Sequence, residues 1–208
     1  MNKRKRQRLD GENQAISGFF ISLVFFLCGI FLGIFSARAL DANGALVLRE
    51  SMMALVSEMT GEAYQAPSFL SAFWLVGRYH LLVVFLGFSV LGVMLLPFLA
   101  AVRGFYLSFS IAALVRAFGS SAYPLAFSLF GLWALFTVPT FFFLLNGSFA
   151  TALALARSLF SGPKVFFWPL YGKRFLKVTI VSFVFLALIV LLELQLTPLL
   201  LTWAVGFL

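Results

Sequence analysis

The chain contains few residues that are suited to catalysis or to metal binding. Its 208 residues include one histidine, one cysteine and seven acidic residues. The lone cysteine, Cys28, excludes an intramolecular disulfide, a CxxC redox pair and a multi-cysteine metal site. No HExxH, GxSxG or Walker-type motif is present. We therefore expect no catalytic, metal or cofactor site, and a protein that is not an enzyme.

Glu193 and the pair Asn146–Gly147 are polar interruptions of strongly apolar sequence. A carboxylate costs about 3 kcal/mol near the centre of a membrane helix and less near its end. Glu193 is therefore either a proton or ion site or half of a structural ion pair, for which Arg116 or Arg38 lies at a suitable level. Asn146–Gly147 is either the floor of a polar pocket or a helix turn, and we expect the turn.

Arg103–Gly104 lies in the middle of the apolar stretch "LGVMLLPFLAAVRGFYLSFSIAALVRAF". A single helix through this stretch would leave the guanidinium deep in an apolar environment, which is costly. We predict instead a cytoplasmic turn, in which the glycine supplies backbone freedom and the arginine reaches the lipid headgroups.

The elements that position these residues are membrane helices. The chain is 62% hydrophobic and 11% charged, whereas a soluble domain carries about 25% charged residues. Several apolar runs have the length of about 20 residues that a membrane-spanning helix needs. The sequence predicts an all-α, polytopic membrane protein with short half-helices at 147–160 and 197–208. About five transmembrane helices are expected, at Ser17–Ala37, Leu81–Val102, Phe105–Phe118 (a short one), Tyr123–Leu145 and Val178–Leu194.

The N-terminus is strongly basic, with five lysines and arginines among the first eight residues. Since this tract directly precedes an apolar helix, we interpret it by the positive-inside rule and not as a nucleic-acid site. "ARA" at 37–39 resembles a signal-peptide cleavage site, but the apolar run before it exceeds the usual 7–15 residues. We predict a cytoplasmic segment 1–16, a single membrane domain 17–208 with an external connection 38–80, and a multi-pass protein of the cell membrane.

The external connection contains an amphipathic pattern in "GALVLRESMMALVSEMTGE". Its apolar residues recur at helical spacing, and its charged residues lie mostly on another face. We expect a helix that lies on the membrane surface or against a partner protein. The predicted contact residues are Leu48, Met52, Leu55, Val56 and Met59.

Small residues recur every fourth position in the first apolar run, at Gly29, Gly33 and Ala37. Such a stripe lets two helices approach closely in lipid. We expect it to pack helices within the chain, and a homo-oligomer is the alternative.

Two segments echo each other, "LPFLAAVRGFYLSF" and "VPTFFFLLNGSFATAL". Each has a proline, an apolar run, a polar residue with glycine, and then a helix with small residues. A duplicated span is typical of many transporter folds, although chance similarity is easy in such biased sequence.

The stretch "FLGFSVLGVMLLPFLAAVRGFYLSFSIAALV" resembles the stage II sporulation protein M family in the order of Gly87, Gly92, Pro97 and Arg103–Gly104. "TVPTFFFLLNGSFATAL" and the closing Glu193 with Pro198 resemble later segments of that family. The resemblance covers most of the chain.

The resemblance implies a membrane scaffold of sporulation that acts in engulfment of the forespore. It would anchor cell-wall-remodelling partners, the stage II sporulation proteins D and P or similar peptidoglycan hydrolases, through the external connection. The alternative function is a membrane subunit of a small transporter or ATP-driven permease, which the internal echo and Glu193 favour.

Overall fold

The computed structural model describes residues 3–60, 67–160 and 172–206, and these ranges contain helices and turns but no strand. Side chains are described from Ser17 onward, with a few exceptions. The helices are α1 (Lys3–Arg38), α2 (Ala42–Thr60), α3 (Phe69–Gly87), α4 (Gly92–Phe118), α5 (Ala122–Ala126), α6 (Leu132–Phe160) and α7 (Lys173–Val205).

Among the described residues, five helical segments are long and apolar enough to cross a membrane. This confirms the prediction of an all-α, polytopic membrane protein. The segments are Ser17–Arg38, Phe69–Gly87, Gly92–Phe118, Ala122–Leu159 and Phe175–Ala204.

The spanning helices alternate in direction, so the described chain starts at one end of the bundle and finishes at the other. At the first end, which we call the basic end, α1 begins, α3 turns into α4, and Phe88 of that turn contacts Phe175 near the start of α7. At the opposite end, which we call the α2 end, the guanidinium of Arg116 in α4 donates a hydrogen bond to the carbonyl of Leu40, which follows α1. An apolar cluster at the same end joins Leu114 of α4 to Leu201 of α7.

Helices α1 and α4 run parallel and form the most extensive contact in the bundle. A Cβ at Gly29 would collide with the backbone of Ala101, and one at Gly33 would collide with Ser108. The Ser108 hydroxyl donates a hydrogen bond to the Ile30 carbonyl at 2.9 Å. The small-residue stripe noted in the sequence, Gly29, Gly33 and Ala37, therefore lies within this intramolecular contact.

The predicted cytoplasmic turn at Arg103–Gly104 is wrong, because α4 continues without a break through both residues. Gly104 is buried, and a Cβ there would collide with the Phe26 carbonyl of α1. The glycine therefore serves close helix packing and not chain reversal. The reversal occurs earlier, in the turn 88–91 between α3 and α4.

The second spanning helix starts at Phe69 and not at Leu81 as predicted. Ser68 caps it, since its hydroxyl accepts a hydrogen bond from the Ser71 amide. The connection after α1 therefore ends at Ser68, and the residues up to His80 belong to the membrane bundle.

The predicted half-helices are parts of longer helices. Gly147–Phe160 continues α6 without reversing, and 197–205 continues α7. Gly147 lies level with Val178 near the basic end, where a Cβ added to the glycine would lie 3.2 Å from a valine methyl. The rest of α6 therefore extends past this level and does not return into the bundle. At the other end of the helix, a π-helical segment Phe127–Gly131 links α5 to α6.

Candidate functional site: charged side chains between the spanning helices

Arg103 occupies the middle of α4, where its guanidinium meets an aromatic face of α3. Its Cζ atom lies 5.2 Å from the centroid of the Tyr79 ring. The Cζ atom of Arg78 lies 5.1 Å from the same centroid. A guanidinium over an aromatic ring is stabilised by the ring's quadrupole, more strongly where water is excluded. Tyr79 therefore accommodates two positive charges at the level of the bundle centre.

Glu193 of α7 is the negative charge within electrostatic range of Arg103. Both side chains are partly buried between helices. Arg103 thus contacts an aromatic ring on α3 and has a carboxylate on α7 within electrostatic range, and both compensate part of the cost of a charge at this depth. The sequence had paired Glu193 with Arg116 or Arg38 instead. The described contact of Arg116 is a hydrogen bond that its guanidinium donates to the Leu40 carbonyl at the α2 end.

His80 adjoins this charged group and is completely buried. Its Nδ1 atom lies 3.2 Å from the Val76 carbonyl, one turn earlier in α3. The ring meets Phe141 and Phe183 edge-on, at centroid distances of 5.8 and 6.5 Å. Its Nε2 atom has no hydrogen-bond partner in the part of the chain that the structure describes. Burying a ring nitrogen without a hydrogen bond is costly.

Further polar side chains extend from His80 toward the basic end along α6 and α7. Asn146 is half-buried, and a glycine follows it where α6 approaches Val178 of α7. The predicted turn at Asn146–Gly147 is therefore wrong, because both residues are helical. Several buried polar atoms of this region lack hydrogen-bond partners among the described residues, namely Asn146 Oδ1, Ser148 Oγ, Thr179 Oγ1 and Ser182 Oγ.

This arrangement can hold α3, α4 and α7 together through charge, or bind a proton or ion at the Glu193 carboxylate. Over the described ranges, no group of three or more His, Cys, Asp and Glu side chains is placed to hold a metal ion.

The predicted partner-binding residues lie on α2, which packs against the α2 end of α4 and against α7. Leu48 is half-buried there. The side chains of Met52, Leu55, Val56 and Met59 lie outside the described residues, although their backbone is helical. Three other apolar side chains of α2 are largely exposed, Leu46 at 56%, Val47 at 63% and Met53 at 49%.

Sequence reasoning missed Arg78, Tyr79 and His80 as residues of a spanning helix because it placed them in the external connection. The signal that identifies them is the mean hydropathy of 1.7 over Phe69–Gly87, which suffices for a span despite one arginine and one histidine. Comparison of the chain with family models, with curated proteins and with solved structures found no match.

Proposed function

We propose that this protein is a non-enzymatic scaffold of the cell membrane that anchors cell-wall-remodelling proteins through α2. The observation that carries the proposal is the exposed apolar surface of α2, which packs against one end of the bundle. Exposed apolar residues on a helix that is already fixed to its own bundle are typical of a docking surface. The resemblance to the stage II sporulation protein M family supports the same function.

Charge supports an orientation with the basic end in the cytoplasm and α2 outside. The N-terminal basic tract, Arg157, Lys173 and Lys177 belong to the basic end. At the α2 end, the arginines are accompanied by acidic residues, Asp41, Glu50 and Glu58. Under the positive-inside rule, the end with the stronger excess of lysine and arginine faces the cytoplasm. Docked partners would then be extracytoplasmic, as peptidoglycan hydrolases are.

The double substitution Leu46→Asp with Met53→Asp tests the docking surface. The two residues lie seven positions apart on one helical face, so the charges replace one apolar patch. The matched control is Ser51→Asp with Ala54→Asp, which adds the same charge at exposed positions of the same helix outside this patch. Co-purification from native membranes should lose the cell-wall hydrolases for the first variant and keep them for the second. Normal recruitment by a fully inserted L46D/M53D protein would disprove the proposal.

A transport subunit is the second candidate, favoured by Glu193 and Arg103, two charged residues within electrostatic range of each other in the spanning helices. Charged residues at this depth commonly mark ion or proton pathways. Proton uptake into liposomes containing the purified protein, under an imposed pH gradient, measures this directly. Uptake above the level of empty vesicles that Glu193→Gln abolishes would support transport, and uptake at the empty-vesicle level would exclude proton transport.

A further inference from the structure

A groove runs along the outside of α1 and α4 near the α2 end. It has a volume of about 560 Å³ and is mostly apolar. Its floor is formed by small side chains, Ala37, Ser108 and Ala112, where the two helices approach closely. Its walls are aliphatic, formed by Ile30, Ile34, Leu107, Ile111 and Val115.

Two arginines, Arg38 and Arg116, line the mouth of the groove at the ends of its two helices. Both are exposed. The Arg116 guanidinium is positioned by its hydrogen bond to the Leu40 carbonyl, which leaves its other N–H groups available. The apolar groove thus has a positively charged entrance.

Within the part of the chain that the structure describes, no acidic side chain forms a direct ion pair with Arg38 or Arg116. The Asp41 carboxylate accepts a hydrogen bond from the Gly44 amide at 2.8 Å and so caps the start of α2. Arg49 of α2 adds a further positive charge, with its Cζ atom 5.7 Å from the centroid of the Phe118 ring. Glu50 is exposed on α2.

The dimensions of the groove match one leaflet of a bilayer. From Ile30 to Arg38 the rise along α1 is about 12 Å, and from Leu107 to Arg116 along α4 it is about 13.5 Å. Half of a hydrocarbon core is about 15 Å thick. With the arginines at the headgroup level, the groove is therefore long enough to hold an acyl chain through most of one leaflet.

We infer that this groove binds one anionic phospholipid of the leaflet at the α2 end. Arg38 and Arg116 contact the headgroup phosphate, and one acyl chain lies along the aliphatic walls above Ala112. Charge complementarity selects an anionic lipid over a zwitterionic one, since each arginine near a membrane surface contributes about 1 kcal/mol to attraction of acidic lipid. This binding does not depend on the docking function of α2.

The test is native mass spectrometry of the full-length protein in detergent, titrated with phosphatidylglycerol or with phosphatidylcholine. The wild-type protein should retain one phosphatidylglycerol in preference to phosphatidylcholine. Arg38→Gln with Arg116→Gln should weaken its binding by about tenfold or more. The matched control, Arg157→Gln with Lys173→Gln, removes two exposed cations at the basic end and should leave binding unchanged.

Two further measurements separate the lipid from a bare anion and from loss of fold. Ala112→Trp fills the groove without changing charge and should also displace the lipid, whereas glycerol phosphate at the same concentration should not compete. Arg38→Gln alone retains the Arg116 hydrogen bond and should weaken binding partially. Equal binding of both lipids, or unchanged phosphatidylglycerol binding by the double arginine variant or by A112W, would overturn the inference. Competition by glycerol phosphate would indicate an anion site only and would overturn it as well.

Discussion

At the scale of single residues, Arg103 shows what the sequence can and cannot predict. The sequence shows that a guanidinium interrupts an apolar run, but the cost of burial suggested a turn because no partner was visible nearby in the chain. The partners are distant in sequence, Tyr79 on α3 and Glu193 on α7. Residue types and local spacing therefore identify the unusual residue, whereas only the packing of three helices identifies what stabilises it.

We predict that Arg103 and Glu193 are energetically coupled. Either Arg103→Gln or Glu193→Gln leaves a charge between helices without its counterion, so each should lower the thermal unfolding temperature in detergent. The double variant should be less destabilised than the sum of the single variants. The control pair is Arg78→Gln with Glu193→Gln, whose effects on the unfolding temperature should add. Strict additivity of the Arg103 and Glu193 effects would show that the two charges do not interact.

At the scale of elements, sequence predicted the helical character of nearly every segment but misjudged where helices begin and end. Apolar length identified α1 and the main part of α7 well. The breaks were misplaced because glycine has two uses: Gly104 allows close contact with α1, while Gly119, with a φ of 68°, allows a real change of direction after α4. One sequence does not distinguish these two uses.

We predict that α4 crosses the membrane as one continuous helix. Tyr106 lies near its middle, about 21 Å from Gly92 and 18 Å from Phe118 by helix rise, and is exposed on the bundle surface. In a Cys28→Ala background, Tyr106→Cys should resist a membrane-impermeant maleimide applied from both sides, while Lys173→Cys and Arg38→Cys should each react from one side. Ready labelling at position 106 would contradict a continuous helix and would support a turn at Arg103–Gly104.

We also predict that the α1–α4 contact depends on its glycines. Gly29→Leu or Gly33→Leu forces a side chain against the backbone of α4 and should destabilise the protein by about 1–3 kcal/mol or more. Phe31→Leu is the control, since Phe31 is exposed on the same helix. Measurement of unfolding in detergent compares the three. Equal stability of the glycine variants and the control would mean that α1 and α4 are not closely packed.

At the scale of the whole molecule, composition alone predicted the all-α membrane class, and the number of spans was also predicted. The sequence reached five spans by a different division of the chain: it counted 105–118 as a span of its own and started the second span at Leu81. These errors compensate, because moving the second span back to Phe69 makes room for a full-length α4. An odd number of crossings places the described ends of the chain on opposite sides.

We therefore predict different environments for reporters fused to the two termini. A fluorescent protein that folds only in the cytoplasm should be bright at the N-terminus and dark at the C-terminus, because the basic end is expected inside. Alkaline phosphatase fusions should give the opposite pattern. Two reporters on the same side would mean an even number of crossings.

The central claim is that α2 forms an extracytoplasmic docking surface for cell-wall-remodelling proteins. The most direct measurement is photocrosslinking in living cells from a photoreactive residue at Met53, with one at Ile180, which is exposed on the side of α7, as the control. We predict that position 53 crosslinks to an extracytoplasmic peptidoglycan hydrolase and that position 180 does not. Crosslinking of position 53 to a cytoplasmic protein, or to lipid alone, would contradict the claim.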